Sequence, residues 1–183
     1  MMEHARYEVA PIHEFNLLVS CSPRGHAGAR GEILKLLRFL GDEQPLVART
    51  EARGIVGVKT TLDPRLVIEE LRALLARHPR LLQYTCKWVP VDLWTLSDID
   101  SMQEAVGQLK GRIADGETWR MSVEKRRHGT HTRQLIERLA PLVTAKVDLR
   151  HPQRTLRVDI IGPFAALSVL GPAEILSAAK AGR

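Results

Sequence analysis

The chain has 183 residues, 44% of them hydrophobic and only 4% aromatic, and carries a formal net charge of +6 with a pI near 9.7. Such a length suits one large domain or two small ones, taking roughly 100 to 200 residues per domain. The shortage of rings argues against a base-stacking platform, and no stretch approaches the ~18 apolar residues of a membrane span.

The first ten residues include Glu3, His4, Arg6 and Glu8 and lack the apolar run of a signal peptide, so a soluble, cytoplasmic protein is expected. Residues 14–22 read as a buried strand through Phe15, Leu17, Leu18 and Val19. After a Gly-rich turn, Ile33, Leu36, Leu37 and Leu40 recur at helical spacing up to Gly41. Residues 46–50 and 55–61 form a candidate hairpin. Asp63 and Pro64 then open a helix carrying Val67, Leu71, Leu74 and Leu75, because the first helical position needs no N–H donor. Residues 81–88 read as a fourth strand closed by Pro90. Strand, helix, strand, strand, helix, strand is the order of a ferredoxin-like unit.

A second unit is expected to follow. Ser97 and Asp100 resemble a capping box ahead of Ile99, Met102, Val106, Leu109 and Ile113. Trp119, Met121 and Val123 alternate with Arg120, Ser122 and Glu124 as in a half-buried strand. A helix through Leu135, Ile136, Leu139 and Val143 is expected to kink at Pro141, and strands at residues 155–160 and 164–170 complete the α+β pattern. The expected domains are residues 10–94 and 95–176.

Charge is distributed unevenly. Residues 119–157 hold ten Lys/Arg against three acidic residues, a local balance of +7 that leaves −1 for the rest. In the loop from Arg126 to His131, Gly129 permits close backbone approach, and Thr130 or Thr132 can cap the following helix. Free amides and the dipole at that helix start, together with Arg133, favour phosphate. A solvated basic loop is the competing reading. His128, His131 and His151 lack a carboxylate or Cys at ligand spacing, so no metal is expected. Cys21 and Cys86 show no CxxC pairing and read as small buried hydrophobes.

The second half resembles a THUMP domain, an RNA-binding module of tRNA-modifying enzymes. The resemblance rests on the strand ending in Glu124, Lys125 and Arg126, the helix through Ile136 and Leu139, Val147-Asp148-Leu149 with Pro152, residues 158–161, and Leu167-Ser168-Val169-Leu170. With the preceding ferredoxin-like pattern and Lys87-Trp88-Val89-Pro90, the arrangement over residues 14–176 is most similar to the stand-alone THUMP proteins that serve as adaptors in tRNA cytidine acetylation. The resemblance implies a grip on the tRNA acceptor stem and 3′ end by Lys125 and Arg126, with Arg127, His128, Thr130, His131 and Arg133 in the adjoining variable loop. It also implies a tRNA cytidine acetyltransferase as partner.

Lys87, Arg112 and Arg154 are further candidates for the edges of the groove, although Trp88 and Trp94 read as interdomain core and cations near a helix C-terminus also suit its dipole. The Gly25, Gly28, Gly31 spacing completes neither a dinucleotide nor a P-loop motif, and Asp98, Asp100 and Glu104 fit an ordinary helix start. Neither catalysis nor a cofactor is therefore expected. The alternatives are a non-catalytic subunit of another tRNA-modifying enzyme, a stand-alone enzyme with an unrecognised site, or a basic face docking an acidic protein.

Overall fold

The computed structural model describes residues 11–126 and 131–178, the side chain of Arg126 excepted. Among these residues the chain forms a mixed α/β structure of two five-stranded sheets and four α-helices.

The first sheet is built from β1 (Leu17–Cys21), β2 (Leu46–Arg49), β3 (Ile55–Lys59) and β4 (Thr85–Pro90), with α1 (His26–Phe39) and α2 (Pro64–Arg77) in the two crossovers. All pairings are antiparallel, with β1 between β4 and β3 and with β2 outside β3. One face of the strands presents Leu17, Val19, Val56, Val58 and Trp88 to Ile33 and Leu37 of α1 and to Ile68 and Leu71 of α2. Burying each such side chain is worth about 1.5–3 kcal/mol. Asp63 caps α2 by accepting from the Arg65 N–H at 2.8 Å, with Pro64 at the first position, as the sequence predicts.

The second sheet has the order β5-β9-β8-β6-β7, formed by β5 (Leu93–Leu96), β6 (Thr118–Arg126), β7 (Lys146–Val147), β8 (Arg154–Ile161) and β9 (Phe164–Leu170). Strand β6 runs parallel to both β7 and β8, whereas β9 is antiparallel to β8 and β5. Its core face carries Trp119, Leu156, Val158, Ile160, Leu167 and Val169 against α3 (Ile99–Leu109) and α4 (Thr132–Leu139). Strict alternation along β8 explains this face, because residues two apart point the same way.

Several boundaries depart from the sequence reading. The predicted first strand begins instead with a 3-10 turn at Ile12–Glu14, and β4 starts at Thr85, leaving Leu81 and Leu82 to pack on the helical core. Pro90 lies inside β4 rather than beyond it. Asp98, not Ser97, caps α3: its carboxylate accepts from the Ser101 N–H and Oγ at 2.9 and 2.7 Å. Pro141 occupies a separate 3-10 turn, Ala140–Leu142, after α4 has ended. Strands β5 and β7 have no counterpart in the sequence reading. Nor has β10 (Leu176–Ser177), which returns from the second half to pair with Trp88 and Lys87 at the edge of the first sheet.

The two sheets meet on the faces turned away from their helices. Leu18, Ala52, Ile161 and Ala166 are buried there with Val91 and Trp94, and Trp94 Nε1 donates to the Phe15 carbonyl at 2.7 Å. Asp92 anchors the junction. Its side chain is 5% exposed and lies 3.0 Å from Arg65 of α2 and 2.9 Å from Arg112 after α3, and it accepts from the Val169 N–H at 2.9 Å. Replacing Asp92 by Ala leaves the Val169 N–H without its acceptor and Arg112 without its carboxylate, while Arg65 keeps Glu174 at 3.3 Å, so urea denaturation is expected to show a loss of about 1–3 kcal/mol. Lys59→Ala, which breaks an exposed pair with Glu14, is expected to cost less than about 1 kcal/mol in the same measurement.

Candidate nucleic-acid interface

Strand β6 delivers its last residues, Lys125 and Arg126, to one end of the second sheet, where Arg126 stands opposite Ile161. The chain re-enters described structure at His131, the cap residue of α4, whose extended backbone (φ −67°, ψ 137°) lets Thr132 begin the helix. Thr132 is thus the first helical residue and not a cap, and no side chain caps the helix at His131. Among the described residues no side chain accepts from the first-turn amides of α4, and such amides suit an anionic acceptor. Arg127, His128, Gly129 and Thr130 lie outside the described residues.

The remaining candidates sit in different electrostatic settings. Arg133 is on the first turn of α4 with its side chain 89% exposed, and its 2.8 Å pair with Glu137 spans one helical turn. Such a surface pair is worth little and yields readily to a phosphate. His131 is exposed, and Lys125 is half-buried. Arg154, on β8, donates its Nε–H to both Glu117 carboxylate oxygens at 3.0 and 3.1 Å. Arg112 is held by Asp92 at the junction between the sheets. Both are committed to structural pairs and lie apart from the β6–α4 end.

Lys87 occupies a third setting, on the inward face between the sheets. Burial pushes its pKa down and Arg157 adds repulsion, against the pull of Glu124 and Asp159. Arg157 is itself 8% exposed and grips Asp159 through Nε and Nη2 at 2.7 and 2.8 Å, with Glu124 3.7 Å away. Burial pushes the Asp159 carboxyl upward, while Arg157 pulls it back. This four-membered cluster belongs to the junction between the sheets. It takes Arg157 out of the basic surface.

The local excess of charge therefore does not form one patch. Arg120, Lys146, Arg150 and His151 are exposed near the start of β6, where Thr118 and Trp119 pair with Lys146 and Val147 of edge strand β7. Along β6, Arg126 lies about 20 Å from Arg120 and about 26 Å from Thr118, at ~3.3 Å per residue. The sequence count includes these residues in the excess without separating them, because β7 leaves no pattern of its own. Asp148 shapes this corner by accepting the N–H groups of Arg150 and His151, each at 2.9 Å, which lowers its pKa.

No protein-family model and no curated protein matches the sequence. Solved structures, however, share the fold. PH1313 from Pyrococcus horikoshii Ot3 is similar at a TM-score of 0.61 and 10% identity, over 85% of this chain and 54% of that one. A 4-thiouridine synthetase solved with RNA and bound ATP is similar at a TM-score of 0.54 and 10% identity, over 90% of this chain and 42% of that one. The chain thus spans about half the length of these proteins. The THUMP domain of THUMP domain-containing protein 1 aligns at 26% identity with a TM-score of 0.30, over 38% of this chain and 81% of that one. No helix among the described residues is long and apolar enough to cross a membrane.

The buried cluster makes a pH-dependent prediction. Arg157→Met removes the cation that offsets the burial of Asp159, so the folded-state pKa of the carboxyl rises further above its unfolded value of about 3.9. A carboxyl raised in this way favours folding most below the unfolded pKa, and that benefit is lost as pH rises through the folded one. Denaturation of variant and parent between pH 4 and 8 is expected to show a gap that widens with pH, reaching about 3 kcal/mol.

Proposed function

We propose that the protein is a non-catalytic tRNA-binding adaptor, which holds the acceptor stem and 3′ end of tRNA and presents it to a separate acetyltransferase for N4-acetylcytidine formation. In this reading residues 10–94 are a ferredoxin-like domain, supported by the strand order β4-β1-β3-β2 with a helix in each crossover, and residues 95–176 are a THUMP domain. The reading is carried by the placement of Lys125 and Arg126 at the end of β6, which leads into the start of α4 at His131 and Arg133, where the cap residue His131 offers no side-chain acceptor. Cations and free amides placed together suit phosphate oxygens, which orient a nucleic acid without reading its sequence.

The fold shared with a 4-thiouridine synthetase solved in complex with RNA supports the choice of RNA as the polyanion. The resemblance of residues 14–176 to acetylation adaptors supports the finer role. Selectivity then comes from RNA shape and the unpaired end. The partner acetyltransferase supplies the acetyl donor and the chemistry, in keeping with a sequence that carries no cofactor motif.

Three measurements test this. If roughly four to six phosphates are neutralised, the logarithm of tRNA affinity falls against the logarithm of salt concentration with a slope of about −3 to −5. The combined change Arg126→Ala, Arg127→Ala and Arg133→Ala is expected to weaken binding at least about tenfold with an unchanged melting curve. A flat salt response or parental affinity in that variant removes the site. Incubation of unmodified tRNA with acetyl-CoA and ATP is expected to yield acetylated cytidine only when the acetyltransferase is added. Product formed by the protein alone contradicts the adaptor role.

A further inference from the structure

The first half of the chain, almost neutral by count, carries a concentrated basic surface at the same end of the molecule as the β6–α4 site. Arg24 follows β1, His26 and Arg30 are on the first turns of α1, Arg49 ends β2, and Arg53 lies in the β2–β3 turn. Backbone contacts hold these segments together. The Cys21 N–H donates to the Gly54 carbonyl at 2.8 Å, and Gly54, at φ +77°, comes so near β1 that a Cβ on it would lie 2.8 Å from the Cys21 carbonyl. Burial lowers the pKa of His26, and the nearby Arg49 and Arg30 lower it further.

Neighbouring carboxylates do not pair with Arg24, Arg30 or Arg53 among the described residues. Glu32 is occupied by the N–H groups of Gln83, Tyr84 and Thr85 at 2.7, 3.1 and 2.9 Å. Glu51 is turned to the β8–β9 turn, where a Cβ on Gly162 would collide with its carboxylate. Arg24, Arg30 and Arg53 are exposed, and none has a carboxylate partner among the described residues. Arg112, Arg133 and Arg154 in the second half all do.

The contact of Glu51 with Gly162 also fixes where this surface lies. Gly162 follows Ile161, the register partner of Arg126 at the end of β6, and Ile161 packs with Ala52 and Ile55 of the β2–β3 turn region. The end of the second sheet that carries Lys125 and Arg126 is therefore set against the end of the first sheet that carries Arg24 and Arg53. Like charges gathered without counterions repel one another, and a polyanion laid across them relieves that repulsion.

We propose that Arg24, Arg30 and Arg53 form a second phosphate-contacting surface, over which the backbone of the RNA held at the β6–α4 end continues onto the first half of the chain. This rests on the RNA-binding reading above. The ligand is a phosphodiester backbone long enough to span both halves, and the contacts are independent of base sequence.

The test compares binding of a fluorescently labelled tRNA transcript to the full-length parent and its variants between about 50 and 200 mM salt. Arg24→Gln/Arg30→Gln/Arg53→Gln is expected to weaken binding at least about fivefold and to reduce the salt slope by about two to three, near one for each phosphate no longer neutralised. Arg24→Lys/Arg30→Lys/Arg53→Lys, which keeps the charge, is expected to retain the parental slope. Lys35→Gln/Arg38→Gln, further along α1, is the control for net charge and is expected to change affinity less than about twofold.

Parental affinity and slope in the Gln triple variant, with binding still weakened in Arg126→Ala/Arg127→Ala/Arg133→Ala, overturn this surface and leave the RNA-binding reading standing. An equal weakening in the Lys35/Arg38 control also overturns it, because net charge then explains the effect. Absence of tRNA binding by the parent overturns both.

Discussion

The arrangement depends on how two open sheet faces are locked together. The apolar junction of Leu18, Ala52, Ile161 and Ala166 with Ile12, Ile55, Val91 and Trp94 is smaller than the core of either sheet, and apolar contact is non-directional. Directional contacts supply the rest: Asp92 between Arg65 and Arg112, the Trp94 Nε1 bond to the Phe15 carbonyl, and Ser168 Oγ donating to the Pro90 carbonyl at 2.7 Å. Strand β10 adds a return crossing, since it belongs by sequence to the second half and by hydrogen bonding to the first. The result aligns the β1–α1 and β2–β3 segments with the end of β6. Without that alignment, the basic groups of the two halves would be unrelated.

Within this frame the cations divide by environment rather than by position in the chain. Arg157 and Lys87 lie between the sheets, where desolvation makes an unpaired charge expensive and where Asp159 and Glu124 answer them. Arg154 and Arg112 brace loops through Glu117 and Asp92. Lys125 and Arg126 end β6, and His131 and Arg133 open α4, where Arg133 holds an exposed pair with Glu137. A count of charge along residues 119–157 therefore overstates the exposed basic surface at the β6–α4 end.

Much of the fold is legible in the sequence because strict alternation and helical spacing reflect which face is buried. Leu156, Val158 and Ile160 mark β8, and Asp63-Pro64 mark the start of α2. Strands β5, β7 and β10 escape such reading for a physical reason: β7 and β10 have two residues each, β5 has four, and their identity comes from hydrogen-bonding neighbours rather than from a period of their own. For the candidate site the sequence marks a position, since Lys125 and Arg126 are adjacent in sequence and end β6. The burial of Lys87 and the pairing of Arg112 and Arg154 depend on residues distant in the chain, such as Asp159, Asp92 and Glu117, which no local pattern announces. The basic group of the first half is hidden because acidic residues elsewhere in that half cancel it in the sum.

The most direct measurement of the central claim is crosslinking of the protein to tRNA bearing a photoreactive group at its 3′ terminus, followed by identification of the modified peptides. Crosslinks concentrated in residues 125–133, at the end of β6 and the start of α4, are predicted. Crosslinks confined to the β7 corner around Lys146 and Arg150, with residues 125–133 unmodified, would contradict it.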